Sequence, residues 1–298
     1  GGTVKVEGLN VGTSLITVSV PASRNYLSAM ATSLVTVIPR SSANFTIELV
    51  GGPYTYDGTA KTPEAIVRDG NRELGSGEDY IVSYENNINA GINTARVIIT
   101  GINNYSGEKV ATFTINKAVR SMAMDSSIEV YYGTPNKVTF SYSGENSTAT
   151  ADSGDSKTFN VSLADKTNSG EVTITPIKVG SGKLTVTIAE STNYKAASGE
   201  CIVTISNGTM TGTVTVSGEN TYGKVLTVDT SAIRPQGAAF TYTWYSNTEN
   251  STTQGTIEQI GTVSSYTVGS GLVGKYIFVK VEATKEGYNK YTVYDLAD

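Results

Sequence analysis

The stretch VGTSLITVSVPASRNYLSAMATSLVTVI, starting at Val11, returns as VGSGKLTVTIAESTNYKAASGECIVTI from Val179. A shorter form, AGINTARVIITGINNYSGEKVATFTI, runs from Ala90, and a looser one, VGKYIFVKVEATKEGYNKYTVY, from Val273. Each copy is a glycine, an alternating apolar strand, a small polar loop, Asn-Tyr (Gly-Tyr in the last copy) and a second alternating strand. Alternation with a period of two puts every other side chain on one face, the pattern of a half-buried strand. The repeated tyrosines are Tyr26, Tyr105, Tyr194 and Tyr288, separated by 79, 89 and 94 residues. Each interval is the length of one small antiparallel β-sandwich, so the repeat decides the architecture.

Working outward, residues 1–39 contain only the closing strands of one unit, in which Val4 and Val6 alternate with Lys5 and Glu7, and Ile16, Val18 and Val20 share a face. Half a sandwich leaves its apolar face uncovered. Residues 40–117 hold a complete unit whose first strand, Phe45 to Val50, stops at Gly51-Gly52-Pro53. Asp57-Gly58 and Asp69-Gly70 there are hairpin-type turn signals, and Pro63 belongs at a strand start or edge. Residues 118–206 form the next unit, in which Gly144 to Ser156 lacks periodicity and reads as an exposed loop or hairpin tip. Residues 207–298 form the last, with Phe240, Tyr242 and Trp244 on one face and Ile277, Val279, Val281 and Ala283 in one inward row. Short linkers and strands of eight to ten residues, at roughly 3.3 Å each, predict modules about 30 Å long strung into a rod near 100 Å.

Composition agrees with many short strands. Charged residues make up 16% of the 298 positions, and the net charge of −5 is spread thinly. Residues 43–116 carry nine acids and five bases, and the next stretches are similarly mixed, so no basic stripe exists for nucleic acid. No run approaches the roughly 18 apolar residues of a membrane helix. A single cysteine, Cys201, excludes a disulfide within the chain, and its alternation with Val203 and Ile205 points it inward.

The segments YTYDGTAKTPEAIV, DYIVSYENNINAG and GINNYSGEKVATFTI resemble the YDG-type Ig-like repeats of large surface proteins from Gram-positive bacteria. The resemblance is close over residues 43–116, about a quarter of the chain. The flanking units are similar to other bacterial Ig-like groups only through the hairpin sentence. It implies an all-β chain of tandem Ig-like sandwiches, export to the bacterial cell surface and a stalk or adhesin setting, with no catalytic residues to transfer.

Histidine is absent, which removes the commonest general base and most transition-metal ligation. Among the acids no catalytic constellation is recognisable, and no cofactor is expected. The nearest hard-cation candidate is Asp152 with Asp155 in a flexible loop, better read as a solvated turn. Trp244 is expected in a core. The corner tyrosines, Tyr26, Tyr105, Tyr194 and Tyr288, are expected to plug the sandwich ends, ring inward and hydroxyl on a loop carbonyl. Tyr54 with Tyr56, and Tyr80 with Tyr84, are each an even number of residues apart and so share a strand face; these four are the candidate ligand-binding strip, set against the ordinary reading of half-buried strand tyrosines. The expected molecule is a monomeric, non-enzymatic surface segment whose partner is an extracellular protein or glycan. The alternative is an accessory glycan-binding region of a large secreted carbohydrate-active enzyme.

Overall fold

In the computed structural model, which describes residues 2–154 and 157–297, the elements are strands, with two short 3-10 turns and no α-helix among the described residues. The chain divides into two compact units, residues 1–120 with 190–196, and residues 121–189 with 197–298.

In the first unit, alternation in Phe45–Val50 turns Phe45, Ile47 and Leu49 inward, and the strand pairs antiparallel with Glu64–Asp69. Gly70, at φ 60°, then folds the chain back into Arg72–Glu73. This is the expected Asp-Gly hairpin. The facing sheet runs in the order Tyr54–Thr55, Glu108–Asn116, Gly91–Gly101, Tyr80–Glu85. Between the sheets lie Phe45, Val67, Val97, Ile99, Phe113 and Ile115. Burying each contributes roughly 1.5–3 kcal/mol, so the alternating rows account for the layer. Tyr54–Thr55 enters this sheet parallel to the closing strand, Ile115 opposite Tyr54.

The same unit holds the first copy of the repeated hairpin, Gly12–Val20 paired antiparallel with Ala29–Val37 along its whole length. It gathers no further strand among the described residues. Val18 and Val20 therefore stay exposed, at 45% and 59%, whereas their counterparts in the copy from Val179, Val186 and Ile188, are fully buried. Val4 and Val6, expected to alternate in a strand, form none. An edge needs a partner strand to satisfy its N–H and C=O groups, and among the described residues no strand pairs with residues 2–10.

The second unit contains two cores. One lies between the sheet Met122–Met124, Asn136–Tyr142, Ser169–Pro176, Phe159–Lys166 and the sheet Ser127–Tyr131, Ala197–Ser206, Gly180–Ile188, Ala149–Asp152. Val138, Phe140, Phe159, Ile174, Leu184 and Val203 fill it. Cys201 is fully buried here, as its alternation predicts. Ser127–Tyr131 runs parallel to the closing strand over five paired positions, from Ser127 opposite Ile202 to Tyr131 opposite Ser206. Residues 149–152 correct the loop expected for Gly144 to Ser156. They pair with Ile188 to Thr185, and Ala149 is buried. Alanine is too small and too weakly apolar for its alternation to stand out in sequence.

The other core of this unit is closed by Thr215–Ser217, Val225–Asp229 and Ser265–Thr267 against Ile257–Gly261, Ala239–Asn247, Tyr276–Thr284 and Tyr291–Leu296. Trp244 sits at its centre with no exposed surface, and its indole N–H donates to the Val263 carbonyl at 2.8 Å. Ile277, Val279, Val281 and Ala283 form the inward row on the neighbouring strand. These paired sheets, each closing over its own apolar interior, make the described chain all-β, built of tandem sandwiches with the Gly12–Val37 hairpin beside them.

Candidate functional site: the Asn-Tyr corners

Of the residues that sequence reading singled out, Tyr26, Tyr105, Tyr194 and Tyr288 lie on or beside the loops joining the two strands of each hairpin copy. Each corner is a tight turn set by local hydrogen bonds. Ser23 N–H donates to Tyr26 O at 2.8 Å, and Ser191 N–H to Tyr194 O at 3.0 Å. In the second copy Tyr105 N–H donates to Ile102 O at 3.0 Å, with Asn103 in the left-handed region at φ 55° that asparagine tolerates. In the fourth, Tyr288 N–H donates to Lys285 O at 3.1 Å, and Gly287 carries the positive φ, 79°.

Three of these corners hold a linker alongside them in a parallel bridge. Arg40 pairs with Tyr105, Ala118 with Tyr194, and Gly208 with Tyr288. The bonds repeat as well: Arg40 N–H donates to Asn104 O at 2.9 Å, Ala118 N–H to Asn193 O at 2.8 Å, and Gly208 N–H to Gly287 O at 2.9 Å. Connecting segments read as linkers are thus strapped backbone-to-backbone onto the corner.

The corner asparagines add a side-chain clasp that the sequence did not announce. Asn104 Oδ1 accepts the Val11 N–H at 3.0 Å, and its Nδ2 donates to Asn10 Oδ1 at 3.4 Å. Asn193 repeats the arrangement, its Oδ1 accepting the Ala90 N–H at 2.7 Å and its Nδ2 donating to Asn89 Oδ1 at 3.1 Å. One amide thus reads two adjacent groups, a side-chain oxygen and the next backbone N–H. The available signal was the spacing of Asn10-Val11-Gly12 and Asn89-Ala90-Gly91, which lie 79 residues apart, like their corner tyrosines. In the last copy Gly287 replaces the asparagine, and the amide pair moves to Asn207 and Asn289, 3.2 Å apart.

The corner tyrosines differ from expectation. Tyr105 is buried in its own core, edge-on to Phe45 with centroids 5.2 Å apart, and Tyr288 packs half-buried against its own. Its hydroxyl lies 3.5 Å from a carboxylate oxygen of Asp69 and not on a loop carbonyl. Burial pushes that phenol's pKa up. Asp69 also takes the Arg40 guanidinium at 2.8 Å. Tyr194 packs edge-on against Tyr56, and Tyr288 against Tyr132, at 5.6 and 5.4 Å. Arg120 lies over the Tyr194 ring, 5.1 Å from its centroid. Tyr26 is 78% exposed. A ring whose neighbour is an aromatic from the preceding repeat gains an edge-to-face contact there.

The proposed tyrosine strip is corrected as a surface. Tyr80 is buried, and Tyr54, Tyr56 and Tyr84 pack against the same core. Tyr54 meets Phe113 edge-on, the Tyr84 hydroxyl donates to the Pro63 carbonyl at 2.9 Å, and that of Tyr80 to Ala65 O at 3.3 Å. Burial raises the pKa of both Tyr80 and Tyr84. Of the two candidate cation ligands, Asp155 lies outside the described residues, and Asp152 accepts the Gly154 N–H at 3.0 Å as a turn does. Among the described residues no three His, Cys, Asp or Glu side chains group as a metal site. Asp57-Gly58 is no hairpin: the Asp57 carboxylate accepts from the Thr59 N–H and hydroxyl at 2.9 and 2.6 Å and pairs with Lys61, which closes a side-chain turn.

No family model matches this sequence, and no curated protein does. Among solved structures, domains 4 and 5 of the S-layer protein SbsC align at 15% identity and a TM-score of 0.27, covering 54% of this chain and 96% of that one. Titin domains A168–A170 align at 12% identity and 0.29, covering 85% and 97%. The titin I9–I11 tandem aligns at 12% and 0.30, covering 84% and 98%.

Proposed function

We propose that this chain is a non-enzymatic segment of a bacterial surface protein, a string of Ig-like modules that spaces or contributes to an adhesive region facing an extracellular ligand. The observation that carries this reading is where the distinctive side chains go. Trp244, Tyr80, Tyr105 and Cys201 are consumed by cores, and Asn104, Asn193, Tyr194 and Tyr288 by the joints between repeats. The resemblance of residues 43–116 to YDG-type repeats supports export and the surface setting.

The test has two arms. Antibody against this segment should label intact cells of the source bacterium, and external protease should remove the signal; labelling only after lysis would refute the location. On a glycan array the purified chain should show no saturable binding. Saturable glycan binding by the folded chain would instead favour the accessory carbohydrate-binding role.

A further inference from the structure

We propose that the Asn25–Tyr26 corner is a docking surface for another Ig-like module, recognised through a loop that reads Asn, then Val or Ala, then Gly. Two corners with the same Asn-Tyr pair already hold such loops. Asn104 takes Asn10-Val11-Gly12, and Asn193 takes Asn89-Ala90-Gly91, each through one accepted backbone N–H and one donated bond to the loop asparagine. The Asn25-Tyr26 corner shares with the Asn193 corner its Ser-to-Tyr backbone bond. Ser23 and Tyr26 exchange both backbone bonds, at 2.8 and 3.3 Å, so the turn is preformed before any partner arrives. Asn25 and Tyr26 stand exposed on it.

The chemistry selects the occupant. The asparagine needs an N–H that no strand has claimed, which the residue before the hairpin glycine supplies, and an amide oxygen one position earlier. Both loops of this composition in the chain are already clasped, and the corresponding loop before Gly180 begins with Lys178, whose side chain offers no acceptor. A second copy of this chain therefore presents no matching loop, and the fitting partner is a further module carrying its own. The inference holds whether the string adheres or only spaces, so its failure leaves the proposed function standing.

The test uses the full chain, isotope-labelled for NMR, and a cyclic peptide of residues 85–96 as probe. A disulfide replaces the Glu85–Arg96 cross-strand pair that closes this loop in the protein. Expected are shifts at the Asn25 side-chain amide and at residues 23–28, saturating with a Kd on the order of 1 mM. They should vanish with Asn25→Ala in the chain or Asn89→Ala in the peptide. No shift at about 10 mM peptide, or equal shifts in Asn25→Ala, would overturn the proposal. So would concentration-dependent shifts of Asn25 without peptide, which would give the surface to a second copy. A parallel measurement checks the template: Asn104→Ala should speed amide exchange of Val11 by roughly tenfold or more while Val97 and Ile99 stay protected. An unchanged Val11 rate would show the clasp absent in solution and would also overturn the proposal.

Discussion

Replacing Gly287 by alanine tests why the last corner departs from Asn-Tyr. At φ 79° the residue lies where an L side chain costs about 1–2 kcal/mol. The added methyl would also stand 2.5–2.7 Å from three atoms of the Tyr132 ring, so the ring must swing away. Its edge-on contact with Tyr288, centroids 5.4 Å apart at 88°, contributes about 0.5–1.5 kcal/mol and would be lost. Together the two effects predict a destabilisation of about 1.5–3.5 kcal/mol. Trp244 is the only tryptophan and lies in the core beside this corner's strands, so its fluorescence in a urea titration reports the loss directly. Repeating the substitution in a Tyr132→Ala background separates the causes. With the ring gone only the φ penalty should remain, about 1–2 kcal/mol. A cost below about 0.5 kcal/mol, the range of neutral surface changes, would refute the reasoning, as would an equal cost in both backgrounds.

Other outcomes follow from single sites. Trp244→Phe leaves the Val263 carbonyl without its indole donor and leaves a void, predicting a loss of about 2–4 kcal/mol by circular-dichroism unfolding. Cys201 should resist thiol reagents in the native protein and react only in denaturant. Burial raises its pKa, so as pH rises past the ordinary thiol value the unfolded chain ionises first and stability falls. Asp57 is held below the usual carboxylate range by Lys61 and then by Thr59. Its contribution is present above the ordinary aspartate value and lost as pH falls toward the depressed one, and Lys61→Met should move its carbon-detected titration back up.

The hairpin copies were legible because period-two alternation of β-branched residues is strong and local, and because the same pattern recurs. Cys201 and Trp244 were placed by that alternation alone. The tyrosine strip was misplaced although Val82, between Tyr80 and Tyr84 on the same face, already marked that face as inward. The strand at 149–152 was hidden by its small side chains. The clasps were not legible, since Asn104 finds Val11 across 93 residues and Asn193 finds Ala90 across 103. The recurring Asn-Val-Gly and Asn-Ala-Gly loops carry the only trace in the sequence, and only a fold brings them to the corners. The tyrosine corners were recognised as repeats, but whether a ring turns into its own core or onto the preceding repeat depends on which aromatic waits there.

The parallel entry of Ser127–Tyr131 beside Ala197–Ser206 has a mechanical consequence. Tension applied at the two ends of that module slides these strands past one another, loading their rungs together, whereas an antiparallel pair at the termini would peel open one rung at a time. The shorter entry at Tyr54–Thr55 offers only two such positions, and Tyr291–Leu296 pairs only with Tyr276–Thr284 among the described residues. Stretching the chain with an atomic-force tip should therefore show the sheets that hold Ser127–Tyr131 and Ala197–Ser206 yielding last, and their yielding first would mean that something other than shear geometry sets the breaking order.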